Sequence, residues 1–210
     1  MNIFPSEKSY LLQAGLLLTI KPEGISTHSP GDGRGGFVEQ LTAKTSLPLK
    51  VCHRLDRETS GAIIFGVTDD ATRKLCMLFE ERRVQKEYVF VTDRLLPPQI
   101  EFTHRSHIKK RRGRFVSWPE HDDLNSETTF QRLKVKGKYS LWTAIPLTGK
   151  PHQIRLHARD NGLNILGDSS HAGSKYHRLM LHAASINFPW EDTTLQHSAP
   201  LPQDFLDLVP

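Results

Sequence analysis

Residues 60 to 92 narrow the possible folds more than any other stretch. "SGAIIFGVT" is an apolar run with no polar face, so as a strand it needs cover on both sides. "DDATRKLCMLFEERRV" follows with apolar residues at helical spacing, and Asp69 and Asp70 stand where a helix start favours acids. "KEYVFVTDRLL" then returns as a strand. Upstream, "GLLLTIKPEGIS" reads as a strand ending in a Pro-Glu-Gly turn, and "GFVEQLTAKT" has helical spacing. Downstream, "SETTFQRLKVKGKYSLWTAIPLTG" predicts a two-strand hairpin turning at Gly137, and "KPHQIRLHARDNG" a helix stopped at Asn161-Gly162. "RLMLHAASINF" reads as a last strand before a Pro-rich tail. Strands outnumber helices, and hairpins mix with crossovers. The expected fold is α+β, a mixed and largely antiparallel central sheet with flanking helices. No repeat, linker or low-complexity block divides residues 1–210, so one domain is expected.

Composition excludes several classes. With 37% hydrophobic and 24% charged residues, the chain suits a globular protein rather than a disordered one. No apolar run reaches the roughly 20 residues that span a bilayer, and "LLQAGLLLTI" lacks a cleavable signal layout. Cys52 and Cys76 give neither a disulfide framework nor a CxxC pair, and the expected home is a reducing cytoplasm. A net charge of +5 favours an anionic partner, nucleic acid ahead of membrane. That charge is concentrated in "HRSHIKKRRGR", residues 104 to 114, which carries no acid. Between two strand patterns, this segment is expected to leave the sheet, as a phosphate-contacting strip or a solvated loop.

"HRLDRETSG", residues 53 to 61, poses the sharpest question, because it sets Asp56 between Arg54 and Arg57 at the mouth of a buried strand. Such a cluster is a structural lock or a working site. "GDGRGG", residues 31 to 36, fits a dinucleotide fingerprint, but Pro22, Gly24 and Pro30 separate it from the strand it would have to follow. A flexible surface loop is the better reading. The histidines at 104, 107 and 121, or at 152 and 157, lack thiolates or tight helical partners, so they are read as polar-surface or RNA-facing residues rather than zinc ligands.

"HRLDRETSG", "KEYVFV", "TGKPHQIRLHARDNGLNILGD" and "RLMLHA" come in one order, and this ordered set resembles the RluA-type pseudouridine synthases. The resemblance runs from about Lys21 to about Phe188. It implies an RNA-modifying isomerase with an RNA-binding cleft, acting on ribosomal or transfer RNA. It places the catalytic aspartate at Asp56, the motif tyrosine at Tyr88 and the motif arginine at Arg155. It implies no cofactor and no metal. RNA contacts are expected from His53, Arg54, Arg57, Lys109, Lys110, Arg111, Arg112, Lys150, His152 and Gln153. The partner is RNA, with no membrane, and the protein is expected to be monomeric.

The chemistry fits those residue types. Pseudouridylation breaks the N1–C1′ bond, turns the uracil and rejoins it through C5, so no electrons or atoms leave. An ionised carboxylate near C1′ is needed, and a guanidinium favours that ionised form. A tyrosine can stack on the extruded base and move a proton. Each residue has a plainer reading too: Asp56 as a salt-bridge anchor, Tyr88 as a core aromatic, Arg155 as a solvated helix face. Gly167 and Asp168 read as a turn. Two positions depart from the family pattern, Lys150 where an arginine is usual and His171 where a tyrosine is usual. No S4-type segment precedes the motifs, so RNA selection is expected from the catalytic domain, its loops or another protein. The alternative to an enzyme is an idle RNA-binding or assembly protein of the same fold, and weaker still is an RNA hydrolase.

Overall fold

The computed structural model describes residues 10–29, 31, 35–94, 97 and 99–210. In chain order the elements are β1 (Tyr10–Gln13), β2 (Leu16–Lys21), α1 (Phe37–Thr45), β3 (Lys50–Val51), β4 (Ser60–Gly66), α2 (Asp69–Glu80) and β5 (Gln85–Thr92). There follow β6 (Glu101–Arg111), β7 (Arg114–Trp118), β8 (Ser126–Lys136), β9 (Tyr139–Pro146), α3 (Gln153–Asp160), β10 (Leu181–Trp190), β11 (Thr193–Ser198) and α4 (Gln203–Leu208). They fall into two compact units, residues 10–84 with 183–199, and residues 85–182 with 200–210.

In the first unit the strand order is β1-β2-β4-β10, with β3 also on β4 and β11 on β10. The apolar run of β4 is buried at every position, as a strand without a polar face requires. Its side chains and those of β2 meet the apolar stripe of α2, where Ala71, Leu75 and Leu78 are buried with Leu16, Leu18, Ala62, Ile64, Ile186 and Phe188. Truncating a fully buried leucine such as Leu75 to alanine costs about 2–5 kcal/mol. The helix starts at Thr68, whose hydroxyl accepts from the Ala71 N–H at 3.2 Å. Gly61 opens β4 at φ +123°, and a Cβ there would stand 2.2 Å from the Ala183 carbonyl oxygen of β10. Only glycine lets those two backbones approach so closely.

In the second unit the order is β5-β9-β8-β6-β7, with antiparallel ladders at β5–β9, β9–β8, β8–β6 and β6–β7. Phe90, Phe130 and Trp142 are fully buried, with Phe90 and Phe130 edge to face at 5.9 Å. The hairpin between β8 and β9 turns at Gly137, as its sequence predicts.

Three expectations are corrected. The basic segment is no loop: β6 pairs with β8 from Glu101 to Ser106, then changes partner and pairs with β7 from His107 to Arg111. Its alternating residues are masked in the sequence by the weight of positive charge. "RLMLHAASINF" is not the last strand, because β11 folds back on β10 through six paired residues and α4 follows, with Phe205 buried. His157 is not a surface residue but is fully buried. Residues 32–34 of the glycine-rich "GDGRGG" lie outside the described residues.

Candidate active site

The loop that carries Asp56 is held at almost every other residue. The Cys52 thiol donates to the Thr72 carbonyl of α2 at 3.4 Å. His53 stacks on Phe79 with ring centres 4.5 Å apart, and its Nε2 accepts from the Ile64 N–H of β4 at 3.1 Å. That bond leaves the ring proton on Nδ1. Leu55 is buried, and the Thr27 hydroxyl both donates to its carbonyl at 2.9 Å and accepts from its N–H at 3.1 Å. Arg57 donates from Nε to the Gly24 carbonyl at 3.0 Å. Lys21, fully buried, donates to the carbonyls of Pro22, Ile25 and Arg57. The Thr59 N–H closes a turn on the Asp56 carbonyl at 3.1 Å. Asp56 itself is half-buried between these anchored neighbours, and Arg54 is exposed. His53, expected at the RNA, therefore has a bracing part, while Arg57 holds the neighbouring turn. Lys21, Thr27 and Leu55 were missed by sequence reasoning, since nothing local marks a threonine that clamps a loop 28 residues away.

In the second unit, Tyr88 lies half-buried on β5, opposite Ala144 of β9. Arg155 is on α3, a short helix that is nearly polar in sequence yet buried at Gln153, Ile154, Arg155, Leu156, His157 and Ala158. A buried polar helix stands only if each polar group finds a partner. Gln153 and His157, one turn apart, face the sheet. The Gln153 amide accepts from the Thr148 hydroxyl and the Lys150 N–H and donates to the Glu127 carbonyl and the Thr128 hydroxyl, all at 2.7–3.0 Å. Expected as an RNA contact, Gln153 has no hydrogen-bonding position left to offer, and it is reassigned to bracing. The His157 ring lies within 2.9–3.1 Å of the hydroxyls of Ser106, Ser126 and Thr128. Because Ser126 donates to the Ser106 carbonyl, its oxygen is left to accept from His157 Nε2–H. Burial, and then the nearby His104, push His157 down to about 3.

Arg155 points elsewhere on the helix. Its Nε and Nη2 both donate to the Asp168 carboxylate at 2.8 Å, in a fork in which the arginine is 4% and the aspartate 1% exposed. Burial by itself would raise Asp168, but the Arg155 guanidinium holds it below the usual carboxylate range. Asp168, read from sequence as part of a turn, is thus the arginine's partner. The turn is real as well: a Cβ on Gly167 would collide with the Arg178 carbonyl at 1.7 Å, and Asp168 accepts from the Ser170 N–H. Beside the fork, His152 Nδ1 and His171 Nε2 are 3.0 Å apart, so the histidine that replaces the usual tyrosine makes a contact of its own. His171 is pushed down to about 4, by burial first and against the pull of Asp168. His152 is half-buried at the helix start, and Lys150 is exposed.

The strip Lys109, Lys110, Arg111, Arg112 and Arg114 is exposed on the β6–β7 hairpin. Lys109 lies over the Trp118 ring at 5.7 Å. Arg111 and Arg114 are paired directly across the hairpin, and no ion pair with an acid accompanies these five among the described residues.

A family model described as RNA pseudouridylate synthase matches residues 15–160. Ribosomal large subunit pseudouridine synthase C of Buchnera aphidicola subsp. Acyrthosiphon pisum is 30% identical over 207 residues, covering 90% of this chain and 66% of that protein. An uncharacterized RNA pseudouridine synthase of Chloroflexus aurantiacus is 33% identical over 199 residues, covering 88% of this chain and 62% of that one. This chain therefore spans somewhat under two thirds of those relatives' lengths. The solved structure of Human RNA Pseudouridylate Synthase Domain Containing 1 superposes with a TM-score of 0.76 at 22% identity, covering 94% of this chain and 86% of that one. Human RNA Pseudouridylate Synthase Domain Containing 4 gives 0.75 at 24%, covering 95% and 90%. These structural likenesses carry the α+β fold.

Proposed function

The chain belongs to the RNA pseudouridylate synthase family, of the RluA type, and from that premise we propose that it isomerises uridine to pseudouridine in RNA with Asp56 as the catalytic carboxylate. The observation that carries the reading is the family match from residue 15 to 160, which contains Asp56, Tyr88 and Arg155 and runs through both units. That span supports one catalytic domain made of the two units. Ribosomal RNA is the substrate class we favour, because the relatives of known name act on the large ribosomal subunit.

In this scheme the Asp56 carboxylate attacks or stabilises C1′ as the N1–C1′ bond breaks. Its loop suits that role, because anchored neighbours fix the backbone and leave little ordering for the reaction step. Tyr88 stacks on the flipped uracil and serves proton transfer at the sugar. Arg155 is the guanidinium of this scheme. Its own orientation is set by Asp168, whose bidentate grip leaves the guanidinium little freedom. Arg54, Lys150 and His152 contact the RNA near the reacting nucleotide, and the β6–β7 hairpin contacts its backbone. In this reading the protein works in a reducing cytoplasm, which suits the free thiols of Cys52 and Cys76.

Tritium release from RNA labelled at uridine C5 tests the assignment. Asp56→Ala and Asp56→Asn are expected to abolish release while RNA affinity stays within a few-fold, because binding rests on phosphate contacts. Parent-like turnover in Asp56→Ala removes Asp56 from the mechanism.

A further inference from the structure

Two lysines in this chain lose water on folding and end in opposite situations. Lys21 is fully buried, and its ammonium reaches three backbone carbonyls. An ammonium has three N–H donors, so Lys21 is satisfied within the protein. Lys86 on β5 is half-buried, and among the described residues its ammonium donates a single hydrogen bond, to the Thr148 carbonyl at 3.2 Å. No carboxylate pairs with it among the described residues. Burial alone acts on it, and pushes it down to about 8. Neither β9 nor β8 nor the loop into α3 brings a charged group that shifts it. A cation held from water without a counter-ion stores free energy that a bound anion releases.

Its position says which anion. Lys86 and Tyr88 are two apart on one strand and share a face of β5. Thr148 begins the loop that carries Lys150 and His152 into α3, so Lys86 ties the strand of Tyr88 to the loop before Arg155. The intervening residue is Gly149, where a Cβ would stand 4.0 Å from Lys86 Nζ. No side chain at 149 covers the ammonium.

We propose that Lys86 binds a backbone phosphate of the substrate RNA, next to the nucleotide that meets Tyr88, with its two remaining N–H groups on the phosphate oxygens. The proposal rests on the function argued above, since the anion is the substrate's own backbone.

The signature is a proton. Binding a phosphate restores an ordinary lysine pKa, so at pH 8.5 RNA binding should take up about 0.7 proton. The probe is a uridine-containing RNA stem-loop, titrated calorimetrically into the full-length protein in two buffers of different protonation enthalpy. Lys86→Met should abolish the uptake, weaken binding about tenfold, and lower the salt slope by a little under one unit. Lys86→Arg should keep affinity and slope without any uptake, because a guanidinium stays charged. A melting curve confirms that each variant folds, and the parent protein alone still reads the uptake if one does not. Parent RNA binding without uptake, or a folded Met variant with parent affinity and slope, overturns the phosphate site. A protein that isomerises the RNA without this signature loses the site and keeps the function. Uptake without isomerisation keeps the site and ends the function. No RNA binding ends both.

Discussion

Arg155 and Gln153 are two residues apart on the same buried helix, and their surroundings divide their roles. Gln153 spends its whole amide on the sheet and its loop, whereas Arg155 holds one buried acid. Arg155→Lys keeps the charge and loses the fork, leaving Asp168 at most one bond from position 155 beside that from the Ser170 N–H. Turnover is expected to fall by about a hundredfold or more, the loss that follows when a charged group is set out of place. The melting temperature is expected to fall by a few degrees only, because a lysine still neutralises the carboxylate. Melting and activity that collapse together would make Arg155 a structural brace. At this scale the sequence told half the story. "HQIR" marks the arginine by its neighbours, but its partner lies 13 residues on, in a turn whose composition says only turn. The same limit hid Thr27 and Lys21, whose value comes from tertiary contact with the Asp56 loop.

The β6–β7 hairpin shows the reverse, a charge pattern legible in sequence and a shape that was not. Segments with five cations in six residues read as loops, yet this one is a two-stranded ribbon with Ile108 and Ser117 buried beneath it. At its tip Arg111 faces Arg114, and Arg112 sits at φ +47°, where a bulky side chain is strained. Like charges placed opposite one another destabilise a ladder. A hairpin built that way is better placed against phosphates than against water. Changing Lys109, Lys110 and Arg111 to alanine should weaken RNA binding clearly at moderate salt and flatten log affinity against log salt by a little under one unit per contact. Turnover of bound RNA should barely change, since these contacts position the substrate and do no chemistry. Parallel salt lines of equal height for parent and variant would end the strip's role. The long strands and helices were easier to read: β4, α2, β8 and β9 stand where their apolar patterns put them, and α3 ends where its Asn161-Gly162 stop put it, although its burial rests on polar partners rather than on apolar spacing. β11 and α4 were not, since "TTLQHS" and "QDFLDL" owe their structure to β10 and to the cover over Phe205.

For the whole molecule, stability should turn on histidines that fold uncharged. His157 and His171 are held at about 3 and about 4, against an unfolded value of 6.5. The unfolded chain therefore takes up protons first as pH falls. The stability these residues contribute is complete above pH 6.5 and is lost progressively down to pH 3–4, each adding up to about 1.4 kcal/mol per pH unit. Asp160, held at about 2 by His104, Ser117 and Arg159 against its burial, is depressed from 3.8, so its share is lost only below that pH. Urea unfolding followed from pH 7 to 4.5 should show a falling midpoint, with a shallower fall in His157→Asn. A midpoint unchanged down to pH 5 would contradict buried neutral imidazoles. The split layout of the first unit has a consequence for how the chain emerges from a ribosome. Its core needs Ile186, Phe188, Trp190, Leu195 and Ala199, and β4 has β10 as the neighbour on its second edge. Until residues 183–199 are translated, a nascent chain holds β4, apolar on both faces, with its second ladder edge covered only at Phe65 and Gly66 by β3. Such an edge recruits other chains, and chaperone protection has to last through the translation of residues 85–182. The unit begun first is completed after most of the other has been made.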